Sequence, residues 1–469
     1  MEELISDSVS SFIKFLSEKE PILKQYKSGS ILISFAVQIN GIRTGEKINS
    51  LTKSSGNYLY YEHPEEHFSF LGINECLLIA ENGIGRFSAT EKKSGEWKDK
   101  LISNWETLPT NRIPLFIGGM KFTTEHPGQT WDDFSDSSWF IPEILLLNDA
   151  GNQYLLYNTI YSRNDKSALS EKLRRVLEQL FVINKVKEDT PVSIREISGS
   201  SPKDKKKWKQ LVSKGLENIL DKKIDKIVYS RKVEFALSGE VNFENIISKL
   251  KADYPSCFIY IFHQGKSTFF GATPEKLVSF ADGIIEIDSI AGSAPRGNDD
   301  SEDNNIAVSL LKDEKNLIEH NIVTDHIKSS IKNFSEDIRQ DATIIKKLKN
   351  IQHLWTKVTA RTTSGGTIFS IINELFPTPA VCGLPKKNSL DLIKKHEGYH
   401  RGMYSGIIGW FNFKDEAGFI VTIRSGLITG NKLFVYAGSG IVADSDPDEE
   451  FKETELKLKP ILSLFRNEN

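Results

Sequence analysis

Near the end of the chain, in GSGIVADSDPDEEFKETELKLK (residues 438–459), Glu450, Glu453 and Lys457 follow one another at i, i+3 and i+7. That spacing sets two carboxylates and an ammonium on one helix face. They come just after a glycine-rich turn through Gly438 and Gly440, where the backbone is bare. The plainest reading is a solvated first turn, with Asp446 as the cap, Pro447 at the first helical position and Glu449 three residues after the cap. Other residues with chemical potential lie upstream. Lys226 opens KIVYSRK, where a period of two puts it on a face with Val228 and Ser230; there it is either solvated or catalytic. Glu275 ends GATPE, as an ordinary loop carboxylate or a functional one. Glu319 borders an apolar stripe through Val323 and His326, an uncommon place for a glutamate. His353 in IQHLWTKV and Arg424 in VTIRSG interrupt apolar runs, as satisfied core residues or as site residues. IAGSAPRG and YAGSG match neither GxxxxGK[ST] nor a strand-to-helix GxGxxG, so they are not phosphate loops.

The elements that must carry these residues read as α+β. The first residues form an amphipathic helix through Ile5, Val9, Phe12 and Leu16, which has neither the basic start nor the apolar middle of a signal peptide. SILISFAVQI, FIPEILLLN and NQYLLYNTIYS read as strands, and residues 165–182 as a helix through Leu169, Leu173, Val176, Leu177 and Leu180. Residues 184–206 are polar and read as a linker. The boundary falls there, between an N-terminal half, 1–195, and a C-terminal half, 196–469. A helix over 203–222 with Trp208, Leu211, Leu216 and Ile219 inward opens the second half. KIVYSRKVEFAL, CFIYIFHQ, STFFGATPEKLVSF and GIIEIDSIAG follow as strands. One long helix over 301–333 and three further strands precede the last helix. Strands joined by hairpin-length turns predict large antiparallel sheets packed face to face, with helices outside.

The bulk composition excludes several classes. The 469 residues are 39% hydrophobic and 26% charged, enough for a large core under a charged surface. A net charge of −3 argues against a nucleic-acid partner. Cys76, Cys257 and Cys382 are too dispersed for a disulfide framework or a zinc site and fit a reducing cytoplasm. No apolar run approaches the ~20 residues of a membrane-spanning helix.

The chemistry gains definition from the order of six segments. IAGSAPRG (290–297), KDEKNLIEHNIVTD (312–325), LFPTPAVCGLPK (375–386), RGMYSGIIGW (401–410), VTIRSGL (421–427) and YAGSGIVADSDPDEEFKETELK (436–457) occur in that order. Together they resemble the chorismate-utilising enzymes, a family that includes isochorismate, salicylate, anthranilate and aminodeoxychorismate synthases. The resemblance covers about 205–463, and FIGGMKF and WDDFSDSSWFIPEILLL extend it more loosely into the first half. PTPAVCG and RGMYSG look most like the isochorismate synthases. Ser293 stands where threonine is common and Met403 where an aromatic is common, departures that bear on fine positioning.

The resemblance implies the chorismate-binding enzyme fold and a magnesium-dependent reaction, chorismate to isochorismate, in which water adds at ring C2 and the C4 hydroxyl leaves. By position Lys226 resembles the base and Glu275 the general acid. A base must be neutral and an acid protonated, so both need burial. Glu319 and Glu453 resemble the Mg²⁺ ligands, and Glu450 an outer partner holding a bound water. Backbone N–H groups at Gly438 and Gly440 are expected at the ring carboxylate, with Lys457 sharing its charge. Arg424 and Tyr404 resemble the residues that grip the enolpyruvyl carboxylate. Gly292, Ser293, His353 and Ala380 are carried over as substrate-binding positions. The resemblance favours a monomer and leaves open whether the product feeds menaquinone or a catechol siderophore. The alternatives are a salicylate synthase, an amine-transferring synthase, or a catalytically silent chorismate binder. The intact Lys226, Glu275, Glu319 and Glu453 speak against the last, since a pure binder needs neither acid nor base.

Overall fold

The computed structural model describes residues 2–26, 29, 31–39, 41, 44–49, 56–124, 129–161, 166–181, 192–363 and 365–465. Its strands form one branched, hydrogen-bonded network. Among the described pairings only Leu32–Ile39 with Leu101–Ser103 is parallel; the rest are antiparallel. The long strand Ser137–Asp149 is the branch point. Its C-terminal part lies between Phe68–Glu81 and Asn152–Ile160, and its first residues pair with Phe116–Met120. From Phe68–Glu81 one branch runs through Tyr58–His63, Phe258–Gln264, Ser267–Thr273, Ser425–Thr429 and Lys432–Ile441 to Lys226–Ser238. From Phe116–Met120 the other runs through Ile407–Phe411, Ala417–Val421, Lys276–Ala281 and Ile284–Pro295 to Ile351–Thr362. Strands of the two sequence halves are therefore joined within the same sheets, Tyr58–His63 to Phe258–Gln264 in one branch and Phe116–Met120 to Ile407–Phe411 in the other.

The two branches face each other across a core rich in aromatic and β-branched side chains, as pleated, buried strands favour. Phe68 on one branch packs 5.7 Å, centroid to centroid, from Trp410 on the other. Helices lie outside. Glu2–Glu18 buries Ile5, Val9, Phe12 and Leu16, the face its periodicity predicts. Lys166–Phe181 buries Leu169, Leu173, Val176 and Leu177, while the side chain of Leu180 lies outside the described residues. Pro202–Leu220 buries Trp208 and Val212, with Leu211, Leu216 and Ile219 partly covered.

Four local readings change. Within the polar stretch 184–206, Ser193–Ser198 is a strand paired with Lys226–Ser238 and Pro202–Leu220 is helical; residues 184–191 lie outside the described residues. The helix expected over 301–333 is two, Asp300–Leu310 and Glu314–Ile331. Asp313 accepts from Asn316 N at 2.9 Å and so starts a new helix six residues before Glu319. AGFIVTIRSGLI is two strands, Ala417–Val421 and Ser425–Thr429, broken where Arg424 takes φ +52°. Gly438 and Gly440 are not in a turn but inside the strand Lys432–Ile441, opposite Ser230 and Val228.

Candidate active site

The strand Lys226–Ser238 delivers Lys226 fully buried, its Nζ 2.8 Å from Glu319 Oε1. The contact is an ion pair without the alignment of a hydrogen bond. Glu319 comes from the helix Glu314–Ile331 and crosses to that strand because Gly440 lies between them. A Cβ on Gly440 would stand 2.2 Å from Glu319 Oε1 and 3.0 Å from Lys226 Cε. A Cβ on Gly438 would come 3.0 Å from the Tyr404 hydroxyl. The two glycines thus make room for side chains across the strand, which explains bareness without a turn.

Glu275 sits at the corner between Ser267–Thr273 and Lys276–Ala281, where its carbonyl accepts from Val421 N at 3.1 Å. Only 4% of it is exposed. Burial first, and then the buried Asp288, push its carboxyl up to about 8 against the pull of Lys226, Arg424 and Lys457. It is therefore a protonated acid at neutral pH.

Arg424, held in its left-handed conformation, directs Nη2 to His353 Nε2 at 2.9 Å. His353 Nδ1 stands 3.0 Å from Ser293 Oγ and 3.2 Å from Gly292 O. A carbonyl only accepts, so Nδ1 carries the proton and Nε2 receives from Arg424. Burial, then the Arg424 charge, keep this imidazole neutral. Ser293 N donates to Asn316 Oδ1 at 3.0 Å, and Gly292 takes φ +75°. Tyr404 is buried and stacks on Tyr436, with centroids 5.2 Å apart.

The last helix, Pro447–Leu462, starts at Asp446, which accepts from Asp448 N and Glu449 N at 2.9 and 3.0 Å. The bland reading of that first turn holds for the cap but not for the face behind it. Glu450 is 1% exposed and accepts from Lys315 Nζ at 2.7 Å and from Ser439 Oγ. Burial and then Glu453 raise its carboxyl above the ordinary range, with Lys315 and Ser439 opposing. Glu453 pairs with Lys457, whose Nζ also donates to Gly438 O at 3.1 Å. Burial pushes Glu453 up, but Lys457, Lys315 and Arg424 bring it below the usual carboxylate range.

Glu275, Gly292, Ser293, Glu319, His353, Ala380, Tyr404, Arg424, Gly438, Gly440 and Lys457 line one partly open cavity of about 60 Å³. Lys226 lies behind Glu319, Glu453 reaches the cavity edge through Lys457, and Glu450 points away toward Lys315. A larger open groove of about 580 Å³ runs past Asp299, Glu302 and Asp313, and its acidic lining suits no dianion. Sequence reasoning passed over three groups. Lys315 is one, although it precedes Glu319 by four residues on the same helix face; Glu450, Glu453 and Glu319 all raise its ammonium above the ordinary range, against burial. The others are Asp288 beside Glu275 and the buried Glu397–Arg401 pair.

Among the described residues no three His, Cys, Asp or Glu side chains converge tightly enough to hold a metal ion alone. The hard oxygen donors of Glu319 and Glu453 nevertheless fit Mg²⁺, which takes one or two carboxylates and fills its shell with water and substrate oxygens. Among the described residues no helix is long and apolar enough to cross a membrane.

This fold is that of a known class. The family model described as chorismate binding enzyme matches residues 15–466, and the chain belongs to that family. It is 30% identical over 457 residues to isochorismate synthase MenF of Bacillus subtilis, covering 94% of each chain. It is also 30% identical over 410 residues to the salicylate biosynthesis isochorismate synthase of Pseudomonas aeruginosa, covering 85% of this chain and 83% of that one. An anthranilate synthase component 1 of Haloarcula marismortui is likewise 30% identical over 394 residues, 82% of this chain and 69% of that one. The solved structure of MenF from Escherichia coli superposes with a TM-score of 0.77 at 18% identity, covering 98% of this chain and 100% of that one, which establishes the shared fold.

Proposed function

We propose that this enzyme converts chorismate to isochorismate. The observation that carries the reading is Glu275: a carboxyl kept protonated by burial, at a cavity that also holds Arg424, Tyr404 and Lys457. Such an acid serves a departing hydroxyl. Lys226 acts as the free amine, after giving up the proton that pairs it with Glu319: it takes a proton from the water that attacks C2, while Glu275 gives its proton to the C4 oxygen, which leaves as water. The two groups come from separate segments, a strand for Lys226 and a corner between strands for Glu275, as addition and loss on opposite ring faces require. The reverse reaction restores both protons, so the enzyme equilibrates the two isomers.

Arg424 and Tyr404 hold the enolpyruvyl carboxylate, a planar guanidinium meeting a planar anion. His353, neutral and fixed between Gly292 and Arg424, keeps that guanidinium in place. Lys457 and the open backbone at Gly438 and Gly440 receive the ring carboxylate. Glu319 and Glu453 would hold Mg²⁺, which when bound would neutralise the ring carboxylate; Glu450, turned to Lys315 and Ser439, does not face that place. All these groups come from one chain, so a monomer suffices.

The anthranilate synthase relative favours one rival, amine transfer. Ala380 and Val381 are small and apolar, and offer no hydroxyl to reorganise the bound product for pyruvate loss. Incubation with chorismate and Mg²⁺, followed by chromatography, should give a mixture of chorismate and isochorismate, with lactate dehydrogenase detecting no pyruvate. Stoichiometric pyruvate with salicylate, or an aminated ring when ammonium is present, would overturn the assignment.

A further inference from the structure

The loop between Thr378 and Leu384 docks on the start of the strand Lys226–Ser238 through its backbone. Asp225 N donates to Leu384 O at 2.7 Å and Val228 N to Cys382 O at 2.9 Å, with Gly383 opposite Ile227. The backbone ladder ends there. The next polar groups along the strand are the Val228 carbonyl and the Ser230 amide, and a side-chain ion pair takes them. Arg401 Nη2 donates to Val228 O at 2.7 Å, and Ser230 N donates to Glu397 Oε1 at 2.7 Å. Arg401 Nη1 reaches over to Val381 O, also at 2.7 Å. Arg401 Nε donates to Glu397 Oε2 at 2.9 Å, and Nη2 meets Oε1 as well, closing a bidentate pair.

This pair offers donors and an acceptor to the strand edge, as another strand would. It stands in for backbone that the loop withholds, and the withheld segment is Ala380–Val381, which lines the cavity instead. The pair itself is 2% and 1% exposed and is not part of the cavity lining. It also reaches the opposite wall. Arg401 O accepts from Tyr404 N at 3.0 Å, and the guanidinium lies 4.4 Å from the Phe122 ring. Arg401 therefore ties together the strand that carries Lys226 and the Ala380–Val381 wall through its side chain, and the turn that carries Tyr404 through its backbone carbonyl. Burying two charges is costly, and an apolar pair would often serve stability as well. What an apolar pair cannot do is hold two carbonyls from different segments at a set separation.

We propose that Glu397 and Arg401 are positioning residues that set the spacing between the Ala380–Val381 wall and the Lys226 strand, and so the fit of the substrate ring. This rests on the chorismate reading of the cavity. Arg401→Lys keeps a cation for Glu397 but cannot span both carbonyls. Per folded molecule, with folding followed by near-UV circular dichroism, its kcat/KM for chorismate should fall about 10²-fold. Most of that loss should be in KM, while the pH midpoint of kcat stays at its wild-type value, since Glu275 is untouched. A variant that merely folds less would show wild-type KM. Unchanged KM per folded molecule, or a moved pH midpoint, overturns the proposal. If Arg401→Lys does not fold, Glu397→Asp, which keeps the charge and shortens the reach, is judged by the same readouts. A wild-type protein that binds chorismate without turnover would sink the function instead; calorimetric affinity for chorismate then replaces KM, and an unchanged affinity in the variants overturns the positioning role.

Discussion

Lys226 Nζ and Glu319 Oε1 stand 2.8 Å apart, the lysine sealed from solvent, so the proposed base and one proposed metal ligand neutralise each other. The pattern repeats: Glu450 is paired with Lys315 and Glu453 with Lys457. Each carboxylate of the proposed metal set thus has its own ammonium, and the predictions below perturb this balance one member at a time.

Loss of either proton-transfer group should show in the rate. Lys226→Ala and Glu275→Gln are each expected to lower turnover of chorismate ~10²–10⁴-fold, the usual range for a lost acid or base. Steady-state kinetics of the purified variants checks this. A variant keeping more than about a tenth of the wild-type rate removes that residue from its role.

Glu275 also makes a prediction about pH. Its carboxyl rises from 4.5 to about 8 on folding, because burial and then Asp288 disfavour the charge. The acid is competent only while protonated, so kcat should decline as pH rises through about 8. Stability follows the same sign. Between pH 4.5 and about 8 the folded state holds a proton that the unfolded state has released, so raising pH through that window destabilises the fold. Glu275→Gln removes this term and should unfold a few degrees higher than wild type at pH 8.5, with the two converging at pH 4.5. Melting curves across the range decide it; identical wild-type and variant slopes would contradict the assignment.

Glu453→Gln tests the metal. The variant should remain folded and lose magnesium-dependent turnover, because the amide oxygen is a weak neutral donor where a charged one is required. Full activity in this variant, or wild-type activity unaffected by excess EDTA, would exclude Glu453 as a ligand.

Gly440→Ala tests the close approach. The backbone there is not left-handed, so alanine is tolerated by φ, but its Cβ meets Glu319 Oε1 at 2.2 Å. Displacing Glu319 from Lys226 should lower turnover about 10²-fold. The clash is with the end of a side chain that can swing aside, but that leaves the buried Lys226 ammonium unpaired, so the melting temperature should fall together with the rate. A large stability loss with intact specific activity would mean the glycine serves packing alone.

Much of this was legible in the chain. Strand residues alternate or run apolar because one or both faces are buried, and Ile227, Tyr229 and Val233 announce their strand for that reason. Asp446 and Pro447 announce a helix start through local hydrogen bonding alone. The ordered motifs marked the family, and eleven of the fourteen expected site residues line one cavity (the exceptions being Lys226, Glu450 and Glu453). Tertiary structure decided what local signals do not encode. Gly438 and Gly440 look like a turn because glycine permits one, yet their role is to admit Tyr404, Glu319 and Lys226 from three other segments. The pairing of Lys226 with Glu319 spans a strand and a helix far apart in sequence, and no periodicity reports a distance of that kind. Nothing in the local sequence singles out Glu397 and Arg401, which lie just past the end of the helix Lys386–His396. Only the fold buries them, and burial turns a common pairing into the tie between a strand edge and the wall of the cavity.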